Sequence, residues 1–199
     1  MTETTRKIPF DLEGPIDIIF ILISEKLNPI FKKINFTPNY ITTLSVIFKF
    51  ITLYSFYYNK YLIATISIIL AYLFDCCDGS YARKYNMTTR LGDLYDHISD
   101  IIYLIIFSIL FLYKDIPKNI KYPFGVILFL SSILTYYYFV CTEEYLNRSK
   151  KKVSILNMFN FYKGDPVQCL RYTKYFSSGT INILGAILML ILHTNSNNS

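Results

Sequence analysis

The sequence predicts an all-α integral membrane protein, a bundle of five to six transmembrane helices preceded by an N-terminal amphipathic helix on the membrane surface. Two observations carry that prediction. Of the 199 residues 53% are apolar and the mean hydropathy is +0.33. The apolar residues also gather into several separate runs near the ~20 residues that a helix needs to cross a bilayer. A soluble domain of this length needs no such runs. The chain reads as one membrane domain over 1–199: a juxtamembrane segment at 1–36, the bundle at 37–193 and a polar tail at 194–199, which is expected to be disordered.

Met1 to Glu13 is polar, is expected to fray, and contains no cleavable leader pattern. Gly14-Pro15 then opens a helix, since proline suits the first helical position. Its apolar residues Ile16, Ile19, Phe20, Ile23 and Leu27 recur at helical spacing. Asp17, Glu25 and Lys26 leave its apolar core too short to span, so it lies along the surface. Thr37-Pro38-Asn39 starts the first span, about 39–58, inside which Lys49 either snorkels or faces the bundle interior. Later spans are expected at about 61–82, 91–113, 122–142 and 177–192. Val153 to Tyr162 is apolar for too few residues to cross unaided, and Lys163-Gly164-Asp165-Pro166 is a turn signal. The four cysteines show neither metal spacing nor a disulfide framework, and read as small packing residues.

Charge placement gives the orientation. If the spans alternate, Arg6, Lys7, Lys26, Lys32, Lys33, Arg83, Lys84, Arg90, Arg148, Lys150, Lys151, Lys152, Lys163, Arg171 and Lys174 fall on one side. The other side receives Lys60, Lys114, Lys118 and Lys121. The crowded side is the cytosolic one. The net charge of +6 is thus a membrane-orientation signal, and no nucleic-acid partner is expected. Glu143, Glu144 and the basic run after them read as a solvated cytosolic face. The Asn-x-Ser/Thr sequons at Asn35, Asn86 and Asn147 fall on that side and are discounted as glycosylation sites.

The chemistry concentrates between Asp75 and Asp100, at the cytosolic ends of the second and third spans. Asp75 and Asp78 lie three apart and Asp96 and Asp100 four apart, so each pair shares a helix face. Carboxylates at membrane depth persist where they pair, bind ions or act on a substrate. If the two helices pack together, four hard oxygen ligands converge. That set suits Mg2+ or Mn2+ with positions left open for phosphate oxygens. Gly79, Ala82 and Gly92 are small enough for a ligand to approach the backbone, and Arg83 can fork onto a phosphate.

The spacing D-x-x-D-G-x-x-A-R-x(8)-G-x-x-x-D-x-x-x-D, running from Asp75 to Asp100, resembles the signature of the CDP-alcohol phosphotransferase family at every fixed position. Pro38-Asn39-Tyr40-Ile41-Thr42 is similar to that family's lead-in to the first span. The resemblance implies that Asp75, Asp78, Asp96 and Asp100 hold two divalent cations, Mg2+ or Mn2+. It implies that Gly79, Ala82 and Arg83 contact the cytidine nucleotide and its phosphates, and that Asp100 is the general base. His97, Gly92, Asn39 and Thr42 are auxiliary candidates. It further implies a CDP-linked donor, an alcohol acceptor, release of CMP, lipid partners and a homodimer in the endoplasmic reticulum or an equivalent membrane. Arg83-Lys84-Tyr85-Asn86 and the short chain favour the branch that moves phosphatidyl from CDP-diacylglycerol. Gly92-Asp93-Leu94-Tyr95-Asp96-His97 is closer to the choline- and ethanolaminephosphotransferase branch. A non-enzymatic ion-binding or transport protein is the competing class.

Overall fold

The computed structural model describes residues 6–148 and 164–197. Among them are seven α-helices: α1 (Pro15–Lys33), α2 (Pro38–Tyr57), α3 (Tyr61–Lys84), α4 (Arg90–Tyr113), α5 (Lys118–Arg148), α6 (Pro166–Thr173) and α7 (Ser178–Asn197). A 3-10 turn at Lys174–Phe176 joins the last two. The first three helices stop in the same way. An asparagine after each C-cap adopts the left-handed conformation, Asn35 at φ 56°, Asn59 at φ 60° and Asn86 at φ 54°. The next N–H then reaches back five residues: Phe36 to Phe31 O at 3.0 Å, Lys60 to Ser55 O at 2.8 Å and Met87 to Ala82 O at 2.8 Å. These are Schellman ends, in which asparagine replaces the usual glycine. Thr37, Thr89 and Asp165 cap the starts of α2, α4 and α6 by accepting from Tyr40, Gly92 and Val167 N–H.

Five helical stretches are long and apolar enough to cross a membrane: α2, α3, α4, α5 and the run Pro166–Asn197. The protein is therefore a multi-pass membrane protein, with five candidate spans among the described residues. Val153 to Tyr162, together with Lys150, Lys151, Lys152 and Lys163, lies outside them. Two boundaries differ from expectation: α5 runs beyond 122–142 at both ends, and α7 stays helical through Thr194 to Asn197.

Helix α1 is amphipathic with an unexpected inward face. It buries Asp17, Ile21, Ser24, Asn28 and Phe31, a stripe at alternating four- and three-residue steps, and exposes Ile19, Ile23 and Ile30. The polar residues grip the bundle while the isoleucines face outward, where an interfacial helix meets acyl chains. Ser24 Oγ lies 2.9 Å from Ser80 Oγ, and Asn28 donates to Ser80 Oγ at 3.1 Å. Asp17, read as a surface charge, is buried instead. Its Oδ1 accepts from Tyr72 OH at 2.5 Å, Ser177 Oγ at 2.9 Å and Gly179 N–H at 2.9 Å. One carboxylate oxygen thus ties α1 to α3 and α7.

The pairing of α2 with α3 rests on small residues. Ser45, Thr52, Ala64 and Ala71 are buried, and Ser45 Oγ donates to Ala71 O at 2.9 Å. Helix α4 packs mainly on α2 and buries only Phe107 and Phe111.

Three further expectations need correction. The segment before α1 does not fray within the described residues. Ile8 and Leu12 are buried against Tyr138, Cys141, Leu146, Cys169 and Leu170, because α5 and α6 offer them an apolar groove. Glu143 is no solvated charge: it is 5% exposed and accepts from Lys7 Nζ at 3.0 Å, whereas Glu144 does pair at the surface with Arg148. Cys141 and Cys169 are not separate packing thiols. The docking of α6 on α5 brings their Cα atoms to 6.0 Å and they form a disulfide. Cys76 and Cys77 are free.

Two predictions follow from this frame. A Cβ at Gly179 would collide with the Asp17 carboxylate and stand 3.0 Å from the Tyr72 hydroxyl. Gly179→Ala should therefore destabilise the detergent-solubilised protein by about 1–3 kcal/mol, and an unchanged melting temperature would contradict the Asp17 tie. Burial pushes the Glu13 carboxyl up from 4.5 to about 7, aided by Asp17 and opposed by Arg83, Arg6 and Lys7. Between those values the folded protein keeps a proton that the unfolded chain has lost. Its stability accordingly falls as pH rises through that window and stays reduced above it. Glu13→Gln removes this dependence, so its melting temperature should gain on wild type from pH 5 to pH 8, the stability difference amounting to at most about 3 kcal/mol. A pH-independent gap would refute the assignment.

Candidate active site

Helix α3 carries Asp75 and Asp78 near its C-terminal end, and α4 carries Asp96 and Asp100 in its first three turns. Of the four aspartates named from the sequence, the structure brings three together. One carboxylate oxygen from each of Asp75, Asp96 and Asp100 lies within 4.8 Å of the others. Asp78 stands outside that trio. It is 6% exposed, its Oδ2 has no hydrogen-bond partner, and Asp96 Oδ1 is likewise buried and unpartnered. Thr42 is buried on α2, and its hydroxyl donates to Pro38 O at 3.2 Å.

The auxiliary residues fall around this cluster. The Arg83 guanidinium lies over Gly79, where a Cβ would stand 3.2 Å from Nη1. A Cβ at 79 would make the guanidinium give by a few tenths of an ångström. Gly92 permits the close approach of α4 to α2, for a Cβ there would meet Asn39 Oδ1 at 2.9 Å and Thr89 Oγ1 at 3.0 Å. This accounts sterically for Gly92 and Asn39 and gives neither a chemical role. Ala82 is half-buried. His97 Nδ1 is 3.7 Å from Asp96 Oδ2, too far for a good hydrogen bond.

Lys49 is the neighbour that sequence reasoning left undecided. Its ammonium turns into the cluster, donating to Asp75 Oδ1 at 2.9 Å and to Asp100 Oδ1. The residue is 8% exposed. The only signal in the sequence was a charge inside an apolar run, which does not say which way the stem points.

With the carboxylates ionised, the four aspartates and Lys49 leave a surplus of negative charge in a low-dielectric setting, which is costly without further cations. The donor set is all oxygen, two of its buried oxygens lack partners, and one ammonium already rests against two of the acids. Such a set fits hard divalent cations.

Known proteins resemble the chain across this region. A profile described as CDP-alcohol phosphatidyltransferase matches residues 35–195. The chain is 33% identical over 81 residues to CDP-diacylglycerol–glycerol-3-phosphate 3-phosphatidyltransferases of Rickettsia felis and Rickettsia typhi. The stretch covers 39% of this chain and 45% and 46% of those relatives, so the chain spans less than half the length of the curated relatives it matches. No solved structure matches. The profile runs from the start of α2 almost to the end of α7 and encloses every acid of the cluster, and on that ground the chain belongs to the CDP-alcohol phosphatidyltransferase family.

Proposed function

We propose that the chain transfers a phosphatidyl group from CDP-diacylglycerol to a small alcohol, with glycerol 3-phosphate the first acceptor to test, and releases CMP. One observation carries the reading: carboxylate oxygens from two helices converge within 4.8 Å at one end of a membrane bundle, in a chain of this family. The names of the Rickettsia relatives support the donor and the acceptor. A phosphorylated acceptor also suits the basic residues nearby, since Arg6, Lys7 and Arg83 interact electrostatically with Glu13, and Lys7 with His97.

Asp75, Asp78, Asp96 and Asp100 would hold two divalent cations, Mg2+ or Mn2+, which when bound neutralise a pyrophosphate and stabilise its leaving oxygen. The chain's own residues do the rest. Gly79 and Ala82 keep the face of α3 low so that the nucleotide can approach the backbone. Arg83 forks onto phosphate oxygens. Asp100 has a side chain 48% accessible, against 20% for Asp75 and 24% for Asp96. It is the acid best placed to meet an acceptor hydroxyl and take its proton. The acceptor oxygen then bonds to the phosphorus bearing the diacylglycerol, the P–O bond to CMP breaks, and CMP departs with that electron pair. The exposed apolar face of α4, with Ile101, Ile105 and Leu112, gives the acyl chains an apolar border. In this reading the N-terminus and the site face the cytosol, the membrane is the endoplasmic reticulum or its equivalent, and the protein is a homodimer.

Two experiments test the reading. Purified protein in detergent with Mg2+ or Mn2+ should release CMP from CDP-diacylglycerol only with an acceptor, drawn from glycerol 3-phosphate, inositol, inositol phosphate and serine. Asp100→Ala should lower the rate at least ~10²-fold while melting as a folded protein. Turnover only with CDP-choline or CDP-ethanolamine and diacylglycerol would move the chain to the other branch, and absence of both turnover and CMP binding would favour an ion carrier. Saturating Mn2+ should also raise the melting temperature, the stabilisation reaching about 2.7 kcal/mol at a hundredfold excess over Kd. Asp75→Asn or Asp96→Asn should abolish that rise, and a rise of the same size in both variants would remove these acids from the metal site.

A further inference from the structure

Lys49 has no part in the chemistry above, yet it is the central contact of the acidic cluster. It is buried on α2 and reaches both Asp75 on α3 and Asp100 on α4. The three helices are not equally attached. Helix α2 packs extensively on α3, and α4 packs mainly on α2, so the two aspartate-bearing helices are held together through α2. A lysine whose ammonium joins one acid from each is therefore placed to set the spacing of the cluster. It also occupies oxygens that any cation would need, since Asp75 and Asp100 are two of the three acids whose oxygens converge.

We propose that Lys49 is a built-in counter-ion of the cluster: it holds Asp75 and Asp100 together in the metal-free protein and competes with the divalent cations for the same oxygens. The inference rests on the reading of the cluster as a metal site. The ammonium is a point charge on a four-carbon stem with three rotatable donors, so it can withdraw from the carboxylates without moving α2. Removing it should have two opposite effects. Metal-free protein loses the cation that balances its buried acids and becomes less stable. Metal binding tightens, because the incoming ion no longer displaces a resident charge and meets one more unit of negative field. Lys49 is thus a positioning residue that sets metal affinity.

The test is direct Mn2+ binding, followed by the loss of the free-ion electron paramagnetic resonance signal, together with thermal melting of the full chain in detergent. Lys49→Met should melt below wild type in chelator, bind Mn2+ with a half-saturation at least about tenfold lower, and recover most of its melting temperature when loaded. Lys49→Arg keeps the charge and should stay near wild type in both measurements. If Lys49→Met does not survive purification in chelator, Lys49→Gln prepared with Mn2+ and stripped afterwards gives the same comparison. A variant that is destabilised equally with and without Mn2+, at unchanged half-saturation, shows a merely structural lysine and overturns the proposal. Weaker Mn2+ binding overturns it too. Wild-type protein that binds no Mn2+ at all would instead sink the metal-site reading beneath it, so the two failures are distinguishable.

Discussion

The fold is organised by the cost of holding several carboxylates at the end of an apolar bundle. Asp75, Asp78, Asp96 and Asp100 lie on helices that are otherwise apolar enough to cross a membrane, and like charges in that setting repel strongly. Several residues close to them relieve that repulsion or leave room for groups that do. Lys49 supplies charge from α2 and Arg83 supplies it from the next turn of α3. Gly79 and Gly92 give way so that the guanidinium and the tip of α2 can come near. The motif thus holds more than acids, because its Gly79 makes room for a guanidinium that offsets them.

Helix α1 contributes by fixing the rotation of α3. It grips α3 at Tyr72 through Asp17, and at Ser80 through Ser24 and Asn28. Ser80 follows Asp78 by two residues, which places the two on roughly opposite sides of the helix. Anchoring one side thus points the acids toward α2 and α4. The tie of Asp17 to Ser177 and Gly179 passes the same constraint to α7. The surface helix is accordingly part of the bundle, and its inward stripe mixes the polar Asp17, Ser24 and Asn28 with Ile21 and Phe31.

Much of this was legible in the sequence. The apolar runs gave the spans, and the aspartate spacing pointed to four converging acids, of which Asp75, Asp96 and Asp100 meet while Asp78 stands outside. The residues that escaped depend on partners far along the chain. Asp17 reads as an exposed charge until Ser177 and Gly179 are seen beside it, about 160 positions on. Glu143 reads as solvated until Lys7 folds over it. Cys141 and Cys169 read as unrelated thiols until α6 docks on α5. Lys49 was visible as an anomaly, but a long flexible stem leaves its direction open, and only the packing of α4 on α2 decides it. The asparagines that end α1, α2 and α3 were half legible. Two of them drew notice as sequons, although their left-handed backbone is what the chain requires of them.

These omissions share a physical cause. In lipid, exposed apolar side chains carry no penalty, and burial gives little drive for one helix to sit in one register against another. Helix α4 shows this, as it buries two phenylalanines and leaves a long row of isoleucines and leucines outward. Register must then come from polar contacts: Asp17 with Tyr72, Ser24 with Ser80, Ser45 with the Ala71 carbonyl, and Lys49 with Asp75 and Asp100. Hydropathy finds the helices but does not record which polar side chain meets which. In this bundle those few polar pairs also aim the acids, so the arrangement of the helices and the construction of the site are set by the same contacts.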